Sequence, residues 1–169
     1  MNKTELISNL TASHYSFWNT ASLLPNSTNS INGKWSAAQN VQHINIGLSR
    51  ISNYLAVPKS SIETNFGWSE RNSKSYDIMI KMFNNAFENG VQSTDSFLPD
   101  ENLQTKMKDL ISQGKESLDA VLESLQNWSE DDLEKYNCPH PFLGKITVRE
   151  ILYFTIYHVE HHHKTLLKM

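Results

Sequence analysis

Apolar residues recur at alternating spacings of three and four along four long segments of this 169-residue chain. This spacing places each set on one face of an α-helix, because an α-helix completes a turn every ~3.6 residues. The clearest stripe is formed by Val41, Ile44, Leu48, Ile51 and Leu55. Six glycines and five prolines are few for this length and favour helices over a turn-rich β fold. The pattern predicts an all-α protein, a four-helix bundle without strands.

Capping residues and prolines indicate where the first two long helices begin and end. The first helix is predicted over residues 3–22 and is ended by the segment 25–33, which starts with a proline and is rich in Asn, Ser and Thr. Ser36 and Gln39 have the spacing of a capping box that begins the second helix. Pro58 marks the end of that helix.

The third long helix is predicted over residues 100–126. The fourth begins with a second capping box, formed by Thr147 and Glu150, and runs to the C-terminus. Residues 58–99 connect the second and third long helices and are irregular, apart from a short helix over residues 75–88. A connection of this length normally marks a crossover or a functional loop.

This long crossover would let the second and third helices run parallel, which predicts an up-down-down-up topology. A strict up-down-up-down order is the alternative. After the third long helix, Ser129 is expected to cap a short helix. Pro139 and Pro141 then predict a loop around His140.

Charge and cysteine content limit the environments and partners that suit this chain. Its net charge is −3 and no basic block is interleaved with aromatic residues, so we do not expect nucleic-acid binding. No segment approaches the ~20 apolar residues of a membrane span, and the N-terminus lacks an apolar signal core. The single cysteine, Cys138, excludes an intrachain disulfide and fits a reducing cytoplasm. We therefore expect one cytoplasmic domain over residues 1–169.

Four of the seven histidines lie within the six residues 158–163, inside the fourth predicted helix. His158 and His162 are one turn apart and continue the apolar stripe of that helix, so both should point into the bundle. Two imidazoles in this arrangement can bind one metal ion. His161 and His163 fall away from the stripe and are expected at its edge or in solvent. The run therefore predicts a metal site with two ligands from one helix.

A third ligand would have to come from another helix. His43 lies about 10 Å into the second helix, whereas the midpoint of His158 and His162 lies about 20 Å into the fourth, and each helix is about 30 Å long. These heights match if the two helices are antiparallel, as the up-down-down-up topology makes them. His14 in the first helix reaches the same height, so spacing leaves both histidines as candidates. Trp35 is either a packing residue at the start of the second helix or a wall of the site.

Two segments resemble the metal-binding motifs of the DinB-like superfamily. Residues 35–44, Trp-Ser-Ala-Ala-Gln-Asn-Val-Gln-His-Ile, resemble the family's second-helix motif: a Trp-Ser/Thr opening, a polar pair and a ligand histidine. Residues 158–162, His-Val-Glu-His-His, resemble its fourth-helix motif, in which the first and last histidines bind metal. The resemblance covers nearly the whole chain. It implies an up-down-down-up bundle with His43, His158 and His162 as ligands.

The resemblance also implies a divalent ion, with zinc or nickel expected, and a homodimer. His14, Trp35 and His161 are then candidates for supporting the ligands or lining a pocket. Some relatives are transferases or isomerases that use a low-molecular-weight thiol such as bacillithiol or mycothiol, and others are described as metal-dependent hydrolases. The resemblance therefore implies metal chemistry on a small molecule without fixing the reaction.

Three neutral histidines would leave a divalent ion with its full charge and an open coordination position. Such an ion deprotonates a bound thiol and lowers the pKa of bound water to about 7. Hydrolysis usually needs a carboxylate as well, but Glu160 should face away from His158, and Glu150 serves the capping box. We therefore expect metal-assisted transfer of a thiol to an electrophilic small molecule. The alternatives are a hydrolase that uses metal-activated hydroxide and a non-catalytic metal-binding or stress-related protein.

Overall fold

The structure is a computed structural model that describes residues 1–24 and 34–169. These residues are mostly helical and include one small two-stranded sheet. In chain order the elements are α1 (Lys3–Leu23), α2 (Ala37–Ala56), α3 (Lys59–Phe66), α4 (Tyr76–Glu88), a short 3-10 helix (Asp95–Phe97), α5 (Met107–Gln126), α6 (Glu130–Lys135), β1 (Asn137–His140), β2 (Gly144–Thr147) and α7 (Val148–Leu166).

β1 and β2 form a hairpin where the sequence pattern predicted a loop around His140, and the described chain is otherwise mostly helical, as predicted. The two strands are antiparallel, and Pro139 pairs with Lys145. Pro139 is tolerated because both strands of a two-stranded sheet are edge strands, which can spare an N–H donor. The Nδ1 atom of His140 accepts hydrogen bonds from the backbone amides of Phe142 and Leu143, at 3.5 and 3.3 Å. His140 therefore stabilises the hairpin turn.

The start of α5 also differs from the prediction. The helix begins at Met107, and residues 100–106 precede it as turns and irregular chain. Side chains of α2 bind the backbone of Asp100: Gln42 Oε1 accepts from its amide at 2.7 Å, and Gln39 Nε2 donates to its carbonyl at 3.2 Å. Because these backbone groups have partners on α2, they do not join the hydrogen-bond ladder of α5.

The other helix boundaries agree closely with the sequence pattern. α1 ends at Leu23, and the segment 25–33 that was predicted to end it lies outside the described residues. α4 matches the helix predicted over residues 75–88. Ser129 caps α6 as expected, because its hydroxyl accepts a hydrogen bond from the Asp132 amide at 3.1 Å. The sequence pattern did not predict α3, which has eight residues.

α1 packs along α7, and their contacts advance in the same direction along both helices. At one end, Arg149 Nη1 donates to the carbonyl of Met1 at 2.8 Å. Near the other end, the Thr20 hydroxyl lies 2.8 Å from His163 Nε2. α1 and α7 therefore run parallel.

α2 and α5 form the most extensive helix pair among the described residues. Asn45 Nδ2 donates to the carbonyl of Leu110 at 2.7 Å. Further along both segments, Trp128 Nε1 donates to the carbonyl of Leu55 at 3.2 Å. These contacts also advance in the same direction, so α2 and α5 are parallel.

Gly114 lets α5 approach both α1 and α2 closely. A Cβ atom at this position would lie 2.5 Å from Asn45 Oδ1 and 2.7 Å from Trp18 Cζ2. Trp18 is almost completely buried here, together with the apolar stripes of the long helices. Within the two described ranges, no helix combines the length and apolar character needed to cross a membrane.

Candidate metal centre

The capping box of α2 fixes the start of the helix that carries His43. The Ser36 amide donates to Gln39 Oε1 at 2.9 Å, and the Gln39 amide donates to Ser36 Oγ at 3.1 Å. Both residues are buried. From this start, Asn40 and His43 follow one turn apart on the same face of α2, and both are buried.

α7 carries the other two histidines, and its start is anchored from two sides. The Thr147 hydroxyl accepts from the Glu150 amide at 3.2 Å, and Glu150 Oε2 accepts from the Thr147 amide at 2.9 Å. Arg71 also donates two hydrogen bonds to the buried Glu150 carboxylate, at 2.6 and 2.8 Å. Burial raises the pKa of Glu150, but these partners outweigh it and hold the pKa below its usual value.

His43, His158 and His162 meet between α2 and α7. Their ligand nitrogens all lie within 4.8 Å of one another, and the Nε2 atoms of His43 and His158 are 3.0 Å apart. Two nitrogens that are each bound to one ion at about 2.0–2.1 Å lie about 2.9–3.4 Å apart for bond angles near 90–109°. The separation of His43 and His158 therefore fits two ligands of one divalent transition-metal ion, and three imidazoles are a donor set that such ions bind.

A backbone carbonyl of the crossover orients His43. Its Nδ1 atom lies 2.7 Å from the carbonyl oxygen of Phe97, at the end of the short 3-10 helix. A carbonyl oxygen can only accept, so Nδ1 carries the proton, and in the neutral ring Nε2 holds the free lone pair. The irregular connection thus contributes to the site by fixing one ligand's tautomer and ring orientation.

Asn40 orients His162 in the same way. The Asn40 amide nitrogen donates to the carbonyls of Ser36 and Trp35, at 2.8 and 3.3 Å, so its Oδ1 atom is the acceptor. His162 Nδ1 lies 2.7 Å from that oxygen and must donate to it. Nε2 of His162 is therefore left to bind a metal.

The three imidazoles are held in the neutral form that binds metals. Burial lowers the pKa of each ring, and that of His162 falls to about 3. The hydrogen bond to Phe97 opposes this effect at His43, but burial outweighs it. At His158 and His162 the neighbouring imidazoles of the cluster lower the pKa further, because protonated rings would repel one another. All three rings are thus neutral near pH 7.

The cluster contains only histidines among the residues that the structure describes. Glu150 is bound by Arg71 and the cap of α7. Glu160 accepts a hydrogen bond from the Tyr76 hydroxyl at 3.3 Å, on the side of α7 that faces α4. A bound divalent ion would therefore keep its full positive charge.

The three supporting candidates lie in different places. The Trp35 ring is 4.8 Å from the His43 ring and stacks on His162 at 6.0 Å, so it forms a wall of the site. His161 is exposed and stacks on Phe87 at 5.8 Å, with its ring 5.5 Å from that of His162.

His14 lies in the core, and the structure does not bring it into the histidine cluster. It is fully buried, and its Nδ1 atom donates to the carbonyl of Leu10 at 2.7 Å. Its ring is 5.6 Å from the Trp18 ring. Burial lowers the pKa of His14 to about 4. Of the two candidates for the third ligand, only His43 joins the cluster.

Two residues of this site, Asn40 and Phe97, were not predicted from the sequence. Asn40 lies three residues before His43, a spacing that places both on one helix face, so it carried a usable signal. Phe97 acts through its backbone carbonyl, which no side-chain pattern reveals. The polar residue that supports a ligand was thus accessible from the sequence, whereas the crossover's contribution required the fold.

These features define a class: a helical protein in which α2 and α7 bring three histidines together as a candidate metal centre. Comparison with protein-family models shows which family this chain belongs to. Residues 5–166 match the DinB superfamily, and the chain belongs to that family. Comparison with curated proteins gave no match, and neither did comparison with solved structures.

Proposed function

We propose that this protein is a metal-dependent enzyme that transfers a low-molecular-weight thiol to an electrophilic small molecule. His43, His158 and His162 would hold a divalent ion, with zinc or nickel expected. One observation carries the proposal: the donor set consists of three neutral imidazoles, without a carboxylate from the described residues.

A divalent ion with three neutral ligands would stabilise the thiolate form of a bound thiol at neutral pH. The chain contributes the orientation of the ligands: Phe97 and Asn40 fix the protonated nitrogens of His43 and His162. Trp35 covers one side of the site. In the transfer, the thiol proton leaves to solvent and sulfur bonds to the electrophilic carbon, while the leaving group departs with the electron pair of the broken bond.

The positions of nearby carboxylates favour thiol transfer over hydrolysis. Hydrolysis benefits from a carboxylate that accepts the proton of the attacking water. Glu150 and Glu160 are hydrogen-bonded to Arg71 and Tyr76 respectively. Thiol transfer needs no such base once the thiolate has formed, so it is the better match to this donor set.

The site also supports the proposed up-down-down-up topology. Asn40 contacts His162 and His43 contacts His158, so contacts advance along α2 as they retreat along α7. An antiparallel α2–α7 pair, with α1 parallel to α7 and α2 parallel to α5, is the arrangement that this topology requires. A single domain, a cytoplasmic location and a homodimer remain predictions from the sequence.

Thiol-dependent conjugation tests the proposed reaction. Metal-loaded protein would be incubated with an aryl halide or epoxide, with and without a thiol, and the S-conjugate measured by mass spectrometry. We expect conjugation above the uncatalysed rate for the native protein and for His163→Ala, and none for His162→Ala. His163 is the matched control because it lies on α7 but binds Thr20 outside the cluster.

Three other outcomes would count against thiol transfer. Turnover that is independent of added thiol would point to hydrolysis. Metal binding without either activity would favour a non-catalytic metal-binding protein. Equal conjugation by His162→Ala and the native protein would place the reaction outside this site.

A further inference from the structure

An open cavity of about 490 Å³ borders the histidine cluster beside His162. Its lining includes the apolar residues Trp35 and Met169 and the basic residues Lys34 and Lys168. Small-molecule sites in proteins have volumes of about 300–1,000 Å³. The cavity can therefore accommodate a small organic molecule next to a candidate metal ligand.

Both charged side chains that line this cavity are basic, whereas the chain as a whole is acidic. Lys34 and Lys168 are the only charged side chains in its described lining. Neither forms an ion pair with a residue in the ranges 1–24 and 34–169. The chain as a whole carries a net charge of −3. Two unpaired ammonium groups beside apolar surface favour an anion, since charges interact over a screening length of about 8–10 Å at moderate ionic strength.

We propose that the substrate bound in this cavity carries an anionic group, such as a carboxylate, attached to an apolar body. Lys34 and Lys168 bind the anionic group, and Trp35 and Met169 contact the apolar body. This assignment rests on the proposed function, because it assumes that the cavity binds a reactant of the neighbouring metal centre. Lys34 and Lys168 are then specificity-determining residues that act by charge.

A series of probes that share one apolar body and carry an anionic, a neutral or a cationic end group tests this assignment without any reaction. The probes are 4-phenylbutyrate, 4-phenylbutanol and 4-phenylbutylamine, and their dissociation constants would be measured calorimetrically with metal-free and metal-loaded protein. Quenching of Trp35 fluorescence would locate the probe, because that signal should disappear in Trp35→Phe. We expect the native protein to bind the carboxylate about three- to tenfold more tightly than the alcohol, with the amine weakest.

Charge reversal supplies the decisive variant. In the double variant Lys34→Glu/Lys168→Glu we expect the order of affinities to reverse, so that the amine binds best. The matched control is Lys81→Glu/Lys108→Glu, which changes the net charge equally at two exposed lysines outside the cavity. The control should keep the native order. If charge reversal unfolds the protein, Lys34→Gln/Lys168→Gln should abolish the preference for the carboxylate.

Equal affinity for the three probes in the native protein would overturn the proposal, and so would an unchanged order in the charge-reversed variant. Either result can be told apart from failure of the metal centre, because the probes are also measured without metal and metal content is determined separately.

A second series identifies which reactant carries the anionic group. On metal-loaded protein, 3-mercaptopropionate, 3-mercaptopropanol and 3-mercaptopropylamine would compete with 4-phenylbutyrate. Selective displacement by the anionic thiol assigns the group to the thiol. Retention of 4-phenylbutyrate in the presence of all three thiols assigns it to the electrophile. Each result is consistent with an anion site at Lys34 and Lys168 and determines its occupant.

Discussion

The Nε2 atoms of His43 and His158 lie 3.0 Å apart, although the two residues are separated by 115 positions in the chain. This contact depends on α2 and α7 packing side by side in opposite directions. It also depends on Phe97, because the hydrogen bond from His43 Nδ1 to that carbonyl turns Nε2 towards α7. The site therefore depends on helix packing and on the crossover together.

The hydrogen bond between Asn40 and His162 should control metal affinity. Replacing Asn40 with Leu removes the acceptor that fixes the His162 tautomer, and we expect metal binding to weaken by about 10–100-fold. Competition with a chromophoric chelator would measure the change. Asn40→Asp keeps an acceptor for His162 Nδ1 and should bind metal more tightly than Asn40→Leu. Equal affinity in the two variants would mean that the hydrogen bond does not orient the ligand.

Gly114 should be necessary for the close packing of α1, α2 and α5. A Cβ atom there would lie 2.5 Å from Asn45 Oδ1, so we expect Gly114→Ala to lower the free energy of unfolding by about 1–3 kcal/mol. Gly47 is the matched control, because it is also helical but has no atom within 4 Å of an added Cβ. Gly47→Ala should instead stabilise the protein by about 0.5–1 kcal/mol.

Urea unfolding of the native protein and both glycine variants would test this difference. Similar effects at the two positions would show that the contacts of Gly114 do not limit packing.

The free energy of unfolding should decrease as the pH is lowered, partly because His14 is buried in its neutral form. Burial lowers its folded-state pKa to about 4 from 6.5, so its contribution is complete above pH 6.5 and is lost as the pH falls towards 4. Between pH 7.5 and pH 5 this loss should be about 2 kcal/mol. His14→Leu has no proton to bind, so its free energy of unfolding should decrease by about 2 kcal/mol less than that of the native protein.

Urea unfolding of metal-free protein at several pH values would measure both slopes. Metal is removed so that protonation of its ligands does not contribute to the difference. Parallel slopes for the native protein and His14→Leu would contradict the buried, neutral state of His14.

The sequence predicted the long helices well because each has a continuous apolar face, and α2 and α7 also begin with capping boxes. It failed where tertiary contacts outweigh local pattern. Pro139 argues against a strand, yet β1 forms because an edge strand tolerates proline. Residues 100–106 carry a helical pattern, but Gln39 and Gln42 bind the Asp100 backbone and keep it outside α5.

The metal ligands likewise divide into two that helical spacing predicts and one that depends on how the helices pack. Spacing within one helix identified His158 and His162, because both lie on a single face. Choosing between His14 and His43 required knowing which faces of which helices meet, and helical periodicity does not contain that information. The resemblance to a family supplied His43, and the structure places His43 in the cluster and His14 against Trp18.

The metal content of the purified protein is the most direct test of the three-histidine centre. Untagged native protein, His158→Ala and His163→Ala would be purified in parallel, dialysed and measured by plasma mass spectrometry, with circular dichroism to confirm that all are folded. The three-histidine centre predicts about one divalent ion per chain in the native protein and in His163→Ala. It predicts less than about a tenth of that in His158→Ala, because the loss of a ligand should exceed the 10–100-fold effect of losing a supporting hydrogen bond. Equal metal content in His158→Ala and the native protein would contradict the centre.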